Sequence, residues 1–177
     1  MTSVAASFPS ARPRRLRRTS ALRDLVAETT LGVNDLVAPL FVREGIDAPQ
    51  PIVSLPGVVQ HTVASLLAEV RELADLGVKA VILFGVPAEK DAVGSGAFDP
   101  QGIVQVALRA LRAELGDRIV LIADLCVDEY TDHGHCGVLD AHGNVDNDKT
   151  LHIYAPVSYT HLTLPTICTS TASRNGP

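Results

Sequence analysis

Three short apolar runs, rich in β-branched residues and roughly forty residues apart, restrict most tightly how this chain folds. They cover residues 36–42, 80–84 and 119–122, with helix-periodic segments between them. The second run, Ala80, Val81, Ile82, Leu83 and Phe84, has no polar position, so both of its faces need cover. Between the first two runs, Val63, Leu66, Leu67, Val70, Leu73 and Ala74 repeat at i, i+3, i+4, i+7. This pattern predicts a helix over 62–76, capped by Thr62 and stopped by Gly77. A second helix is expected over 99–115, with Pro100 in its first turn and Gly116 past its end. Repeated strand, helical crossover and strand imply an α/β fold with a parallel sheet, either a barrel or a doubly wound sheet.

Composition narrows the function classes. A chain of 177 residues, 46% apolar, can bury one ordinary core. Its net charge of -5 gives no basic field for nucleic acid. Its longest apolar run, around Ala80, falls far short of the ~20 residues of a membrane span. The expectation is a cytoplasmic protein with neither nucleic acid nor membrane as partner. Arg12, Arg14, Arg15, Arg17 and Arg18 nevertheless gather in one segment with no acid before Asp24. A transit peptide or a twin-arginine signal is one reading of that segment. A solvated or subunit-docking arm is favoured, because residues 21–25 are charged and amphipathic where an export signal needs an apolar stretch. Residues 1–20 are therefore read as a flexible arm broken by Pro9 and Pro13, followed by a helix from 21 to about 28 capped by Ser20. Pro39 inside the first apolar run points to a strand end or a bulge. Pro49, Pro51 and Pro56 mark an ordered loop.

The loops after the second and third runs carry the chemistry. The first of them holds Lys90, Asp91, Gly94, Ser95 and Gly96, and reads as a mobile lid or as plain solvated surface. It matches neither a Walker loop nor a G-x-S-x-G elbow. The second contains Asp124, Cys126, Asp128, Asp132, His133, His135 and Cys136. Thiolates are soft ligands, so Cys126 and Cys136 would select zinc if they converged on one ion. The C-x-D-x7-C spacing is neither a C-x-x-C pair nor a knuckle, and two reduced structural cysteines remain the other reading. His133 and His135 flank Gly134 and are equally able to satisfy backbone groups of a turn. Asp124, at the strand's C-terminal end, is a candidate for orienting substrate or metal-bound water, with a structural cap as its plain alternative. Asp140, His142, Asn144, Asp146 and Asp148 alternate like a calcium loop, but the central glycine and the closing glutamate are missing.

A last helix is expected to begin near Asp148, capped by Asp146 or Asn147, and to be interrupted by Pro156. From there the composition turns to Ser and Thr, and Val157, Tyr159, His161 and Leu164 belong to a string resembling translated adapter DNA. Residues 156–177 are thus read as foreign, Cys168 has no role, and residues 21–155 carry about three βα units.

The loop from Asp124 through Cys126, Asp128, His133, His135 and Cys136 to Gly137 resembles the metal loop of the porphobilinogen synthases, or delta-aminolevulinic acid dehydratases. Further blocks resemble that family in order: Arg12 to Arg17, Ala38 to Val42 with Glu44 and Gly45, Ser54 to Gly57, Gly77 to Pro87 with Lys90 and Asp91, and Asn147 and Asp148 with Thr150 and Leu151. The resemblance implies the N-terminal part of a (β/α)8 TIM barrel whose extended arm embraces a neighbour in a homo-octamer. It implies condensation of two 5-aminolevulinate molecules to porphobilinogen with loss of two waters, on two Schiff-base lysines. It also implies a loop-held Zn2+ that polarises a substrate oxygen. Two departures matter. Asp128 stands where zinc-type members have a cysteine, so Zn2+ on Cys126, Asp128 and Cys136 is expected, with Mg2+ the alternative. The Schiff-base lysines belong to later strands, and Lys79, Lys90 and Lys149 match neither, so this chain alone is expected to be inactive. The rival from another class is a small zinc-binding interaction module with an Arg-rich docking arm. A doubly wound nucleotide binder is weaker, since the first βα turn lacks G-x-G-x-x-G.

Overall fold

The computed structural model describes residues 14–162, so the readings made for 1–13 and 163–177, Cys168 included, lie outside the described residues. Two compact units divide between Gly32 and Val33. In the first, a 3-10 turn, Arg15–Arg17, precedes helix α1, Ser20–Leu25. Thr19 rather than Ser20 caps α1: Thr19 has extended backbone, and its hydroxyl accepts the Leu22 amide at 3.2 Å. The helix ends at Leu25 instead of reaching residue 28.

The second unit is a five-stranded sheet in the order β2, β3, β1, β4, β5, where β1 is Val37–Arg43, β2 Gln50–Pro51, β3 Val59–His61, β4 Ala80–Val86 and β5 Val120–Ala123. Strands β1, β4 and β5 run parallel, as the crossovers require, while β2 pairs antiparallel with β3 inside the proline-rich connection. Pro39 causes no bulge, since the register runs unbroken from Val37 opposite Ala80 to Arg43 opposite Val86. The reason is directional. Glu44 donates its amide to the Val86 carbonyl, so by alternation Val42, Leu40 and Ala38 also face β4, and the Pro39 nitrogen faces the other flank. There β3 pairs only with Phe41 and Val42, and no ladder bond is lost at Pro39.

Helices α2, Val63–Asp75, and α3, Ile103–Leu115, cover one face of the sheet. Leu40, Val42, Val81, Leu83 and Leu121 from the strands meet Leu66 and Val70 of α2 and Val104, Leu108 and Leu111 of α3 in one buried cluster. Each such side chain, fully buried, contributes about 1.5–3 kcal/mol. The opposite face carries Phe41, Ile82, Phe84 and Ile122, which stay partly exposed outside that cluster, with the Phe41 and Phe84 rings stacked 5.2 Å apart. Thr62 caps α2 as expected, accepting the Ser65 amide at 3.1 Å. Helix α3 starts later than residue 99, because Asp99 closes a turn: its carboxylate accepts the Gln101 amide at 2.8 Å and its carbonyl the Gly102 amide at 2.8 Å.

Helix α4, Asn147–Leu162, is capped by Asp146, whose carboxylate accepts the Lys149 amide at 3.1 Å. It continues through Pro156, where a break was expected. Val157 is fully buried in the core and Ile153 and Tyr154 pack against it, so tertiary burial outweighs the missing helical hydrogen bond. Among the described residues no helix is long and apolar enough to cross a membrane.

Candidate metal centre

Strand β5 hands the chain to the ligand loop at Asp124, whose amide extends the ladder to the Leu83 carbonyl at 3.1 Å. By strand alternation Asp124 lies on the open face with Val120 and Ile122, at the C-terminal end of the parallel strands. The loop that follows is anchored from within. Val127, Tyr130 and Thr131 are buried, and the Tyr130 and Thr131 amides both bond the Val127 carbonyl. Tyr130 fits because Gly85 has no side chain: a Cβ there would lie 2.2 Å from the tyrosine hydroxyl oxygen and 2.4 Å from Val104. Thr131 donates its hydroxyl to the His135 carbonyl at 3.0 Å, which turns the chain back toward its start.

The loop after β4 braces this turn. Asp132 donates to the Asp91 carbonyl at 3.0 Å, and Asp91 donates to the Tyr130 carbonyl at 3.3 Å. The Asp91 carboxylate accepts the Val93 and Ser95 amides and the Ser95 hydroxyl, and that last bond chiefly holds its pKa below the ordinary carboxylate value. The structure thus makes the glycine-bearing segment a brace. His133 bonds the Ala92 carbonyl through Nε2 at 3.3 Å and receives the His135 amide on Nδ1 at 3.1 Å. Both ring nitrogens serve backbone groups, and neither histidine joins the ligand cluster.

That cluster is Cys126, Asp128 and Cys136, whose ligand atoms all lie within 4.8 Å of one another; it is the one such group among the described residues. Both cysteines are unbridged, Cys126 half-buried and Cys136 exposed. The return segment is held by Thr150 of α4, whose hydroxyl accepts the Val138 amide at 3.0 Å and donates to the Asp146 carbonyl at 2.6 Å. Gly137 permits this approach, since a Cβ there would lie 2.5 Å from the Thr150 hydroxyl. Tyr154, one turn further along α4, puts its hydroxyl 3.1 Å from the Cys136 carbonyl and 3.7 Å from the Cys126 sulfur.

Negative charge outweighs positive in the surroundings, where Lys90 is the smallest of the influences on Glu129. Burial pushes the Cys126 thiol up to about 12. Burial, then the neighbouring Asp128, raises Asp124, and burial with Asp124 and Asp128 raises Glu129 to about 8. A divalent cation among these groups would favour every ionised form at once. Two thiols and one carboxylate suit Zn2+, which takes sulfur and oxygen donors together, better than Mg2+, which takes oxygen alone. Sequence reasoning named these three residues and Asp124 as candidates but not Glu129, Tyr130 or Tyr154.

The lysines stand elsewhere. Lys79 precedes β4 at the far end of the sheet, Lys149 pairs with Asp146 at 3.0 Å, and Lys90 is exposed in the loop after β4.

Comparison with known proteins agrees with this geometry. The family model for delta-aminolevulinic acid dehydratase matches residues 10–166, past the compositional break at Pro156. The delta-aminolevulinic acid dehydratase of Streptomyces coelicolor is 55% identical over 154 residues, covering 86% of this chain and 47% of that protein. That of Mycobacterium tuberculosis is 54% identical over 154 residues, covering 86% of this chain and 47% of that protein. The crystal structure of the Toxoplasma gondii enzyme in complex with its reaction product porphobilinogen superposes with a TM-score of 0.81 at 34% identity, covering 88% of this chain and 45% of that one. The chain spans about half the length of these relatives, and its sheet with two covering helices is part of a TIM barrel. The loop, the strands that present it and these likenesses together place the chain in the delta-aminolevulinic acid dehydratase family.

Proposed function

We propose that this chain supplies the metal-holding half of a porphobilinogen synthase, which condenses two 5-aminolevulinate molecules with loss of two waters. The observation that carries the reading is the convergence of Cys126, Asp128 and Cys136 within 4.8 Å, beside Asp124 at the C-terminal end of a parallel sheet. In barrels of this class that end is where chemistry is built. The two sulfurs and the Asp128 carboxylate would hold Zn2+. When bound, that ion supplies Lewis-acid polarisation of a substrate oxygen. Asp124, its carboxyl raised by burial and by Asp128, holds a proton more readily than a surface aspartate and orients the substrate's polar groups. The buried Val127, Tyr130 and Thr131 keep water from beneath the loop.

The two Schiff-base lysines come from strands outside this chain, since Lys79, Lys90 and Lys149 all stand away from the ligand cluster. In this reading the complete enzyme is a cytoplasmic homo-octamer. Joining residues 10–155 of this chain to the remaining half of the Streptomyces coelicolor relative tests the proposal. The chimera should form porphobilinogen from 5-aminolevulinate, lose that activity on chelation and regain it with Zn2+, whereas the 177-residue chain alone should form none. Full activity of the zinc-stripped chimera would reject the metal assignment. Product from the isolated chain would reject the lysine assignment.

A further inference from the structure

We propose that Tyr154 is a positioning residue of the metal centre, whose hydroxyl stands between the Cys136 carbonyl and the Cys126 sulfur and so sets the two ligand-bearing limbs relative to each other. The inference rests on the zinc reading above and adds a residue to it. Cys126 and Cys136 lie on the outgoing and returning limbs of the loop, which Thr131 ties at the turn by donating to the His135 carbonyl. Tyr154 ties them from a third element, α4. Its oxygen stands 3.1 Å from the Cys136 carbonyl and 3.7 Å from the Cys126 sulfur, so one group touches both ligand residues. The ring itself is fixed, because it packs against the core beside Ile153 and one turn after Thr150, which holds Val138.

A phenol has one proton to donate and therefore serves one of these acceptors at a time. The shorter, harder contact is the carbonyl, which keeps the Cys136 limb in place. When a cation binds, both cysteines are thiolates. Hydrogen bonds to a charged sulfur are stronger than those to a neutral thiol, so the Cys126 sulfur then competes for the same proton. Outer partners of this kind orient ligands and tune the metal, and losing one typically weakens metal affinity about 10–100-fold.

The test uses the whole 177-residue chain and its Tyr154→Phe variant, which keeps the packed ring and removes only the oxygen. Zinc affinity is measured by competition with a chromogenic chelator, and Co2+ is used separately to read the thiolate-to-metal absorption band. The expected result is a loss of zinc affinity on the order of 10–100-fold, with a displaced cobalt band. His152→Gln, at an exposed position two residues earlier on the same helix, should leave both readings unchanged. Equal zinc affinity in Tyr154→Phe, or a loss with the cobalt band unmoved, overturns the proposal while leaving the metal site standing. Zinc uptake that ignores Cys126→Ser overturns the metal reading and this inference together. That outcome is recognisable because Tyr154 is intact in that variant.

Discussion

Two stretches of this chain offer metal-capable side chains at close spacing, and only one of them draws its donor atoms together. Residues 126–136 bring two sulfurs and a carboxylate within 4.8 Å. Residues 140–148, with three aspartates, a histidine and two asparagines, bring no such group together. Anchoring makes the difference. In the first stretch Val127, Tyr130 and Thr131 are buried and pin the loop's backbone, although Cys136 itself is exposed. In the second, Asp140 spends its carboxylate on the His142 amide at 2.7 Å and the Asn144 amide at 2.9 Å, closing a hairpin in which Leu139 bridges Val145. Asp146 caps α4 and pairs with Lys149. The density of potential ligands is similar in the two stretches. What separates them is how far the backbone has claimed the oxygens, since Asp128 accepts one amide, from Glu129 at 3.0 Å, and Asp140 accepts two.

The largest expected effect breaks that contrast directly. Cys126→Ser or Cys136→Ser should weaken zinc binding by more than the 10–100-fold typical of an outer partner, whereas Asp140→Ala should leave it unchanged. Competition titration on the three variants reads both sides. If Asp140→Ala lowers affinity as much as either serine variant, the hairpin shares the site and the contrast fails.

Next comes the anchor itself. Gly85→Ala places a methyl 2.2 Å from the Tyr130 oxygen and 2.4 Å from Val104, so either the tyrosine or α3 has to move. Overpacking of this kind costs about 3 kcal/mol. Denaturant unfolding should show that loss together with weaker zinc binding, because the displaced ring supports the ligand loop. A stability loss with zinc affinity preserved would mean that the loop holds its shape without Tyr130.

A smaller effect is expected at the seam between the two stretches. Thr150→Val keeps the shape but removes the hydroxyl that takes the Val138 amide and gives to the Asp146 carbonyl. Leaving that amide unpaired in a part-buried place should destabilise by about 1.5 kcal/mol, again read by denaturant unfolding. The loss should be the same with and without Co2+ if the seam supports both stretches equally.

How much of this was legible in the sequence follows from range. Strands β1, β4 and β5 announce themselves because sheet burial demands apolar runs, and the cap at Thr62 is a local signal three residues from its partner Ser65. Strands β2 and β3 are too short, at two and three residues, to show any alternation. Pro156 misled because its local penalty is visible in the sequence while the burial of Val157 that overrides it is not. Cys126, Asp128 and Cys136 could be named from donor chemistry, but the roles of His133 and His135 depend on Ala92 and on the turn between them. Tyr154 was hidden altogether. Its contact with Cys126 spans 28 positions and exists only because α4 returns over the loop.

The smallest effect concerns the acid limb of stability, where the hairpin has its own signature. The Asn144 amide, then the His142 amide, lower the Asp140 carboxyl below its ordinary 3.8, and the Lys149 amide does the same for Asp146. A carboxylate depressed in the folded state binds fewer protons there than in the unfolded chain. Its contribution is therefore fully present above pH 3.8 and is lost as pH falls through the lower, folded value. Asp140→Asn keeps an oxygen acceptor for the turn but removes the charge, so the variant should differ from wild type at neutral pH and converge with it below that window. Both aspartates are partly exposed, and solvent screening keeps the difference small. Acid titration at low salt, followed by circular dichroism, reads it. Curves that stay parallel to the lowest pH would show that the Asp140 charge does not close the turn, and the hairpin's carboxylate would then be as uncommitted as a ligand needs to be.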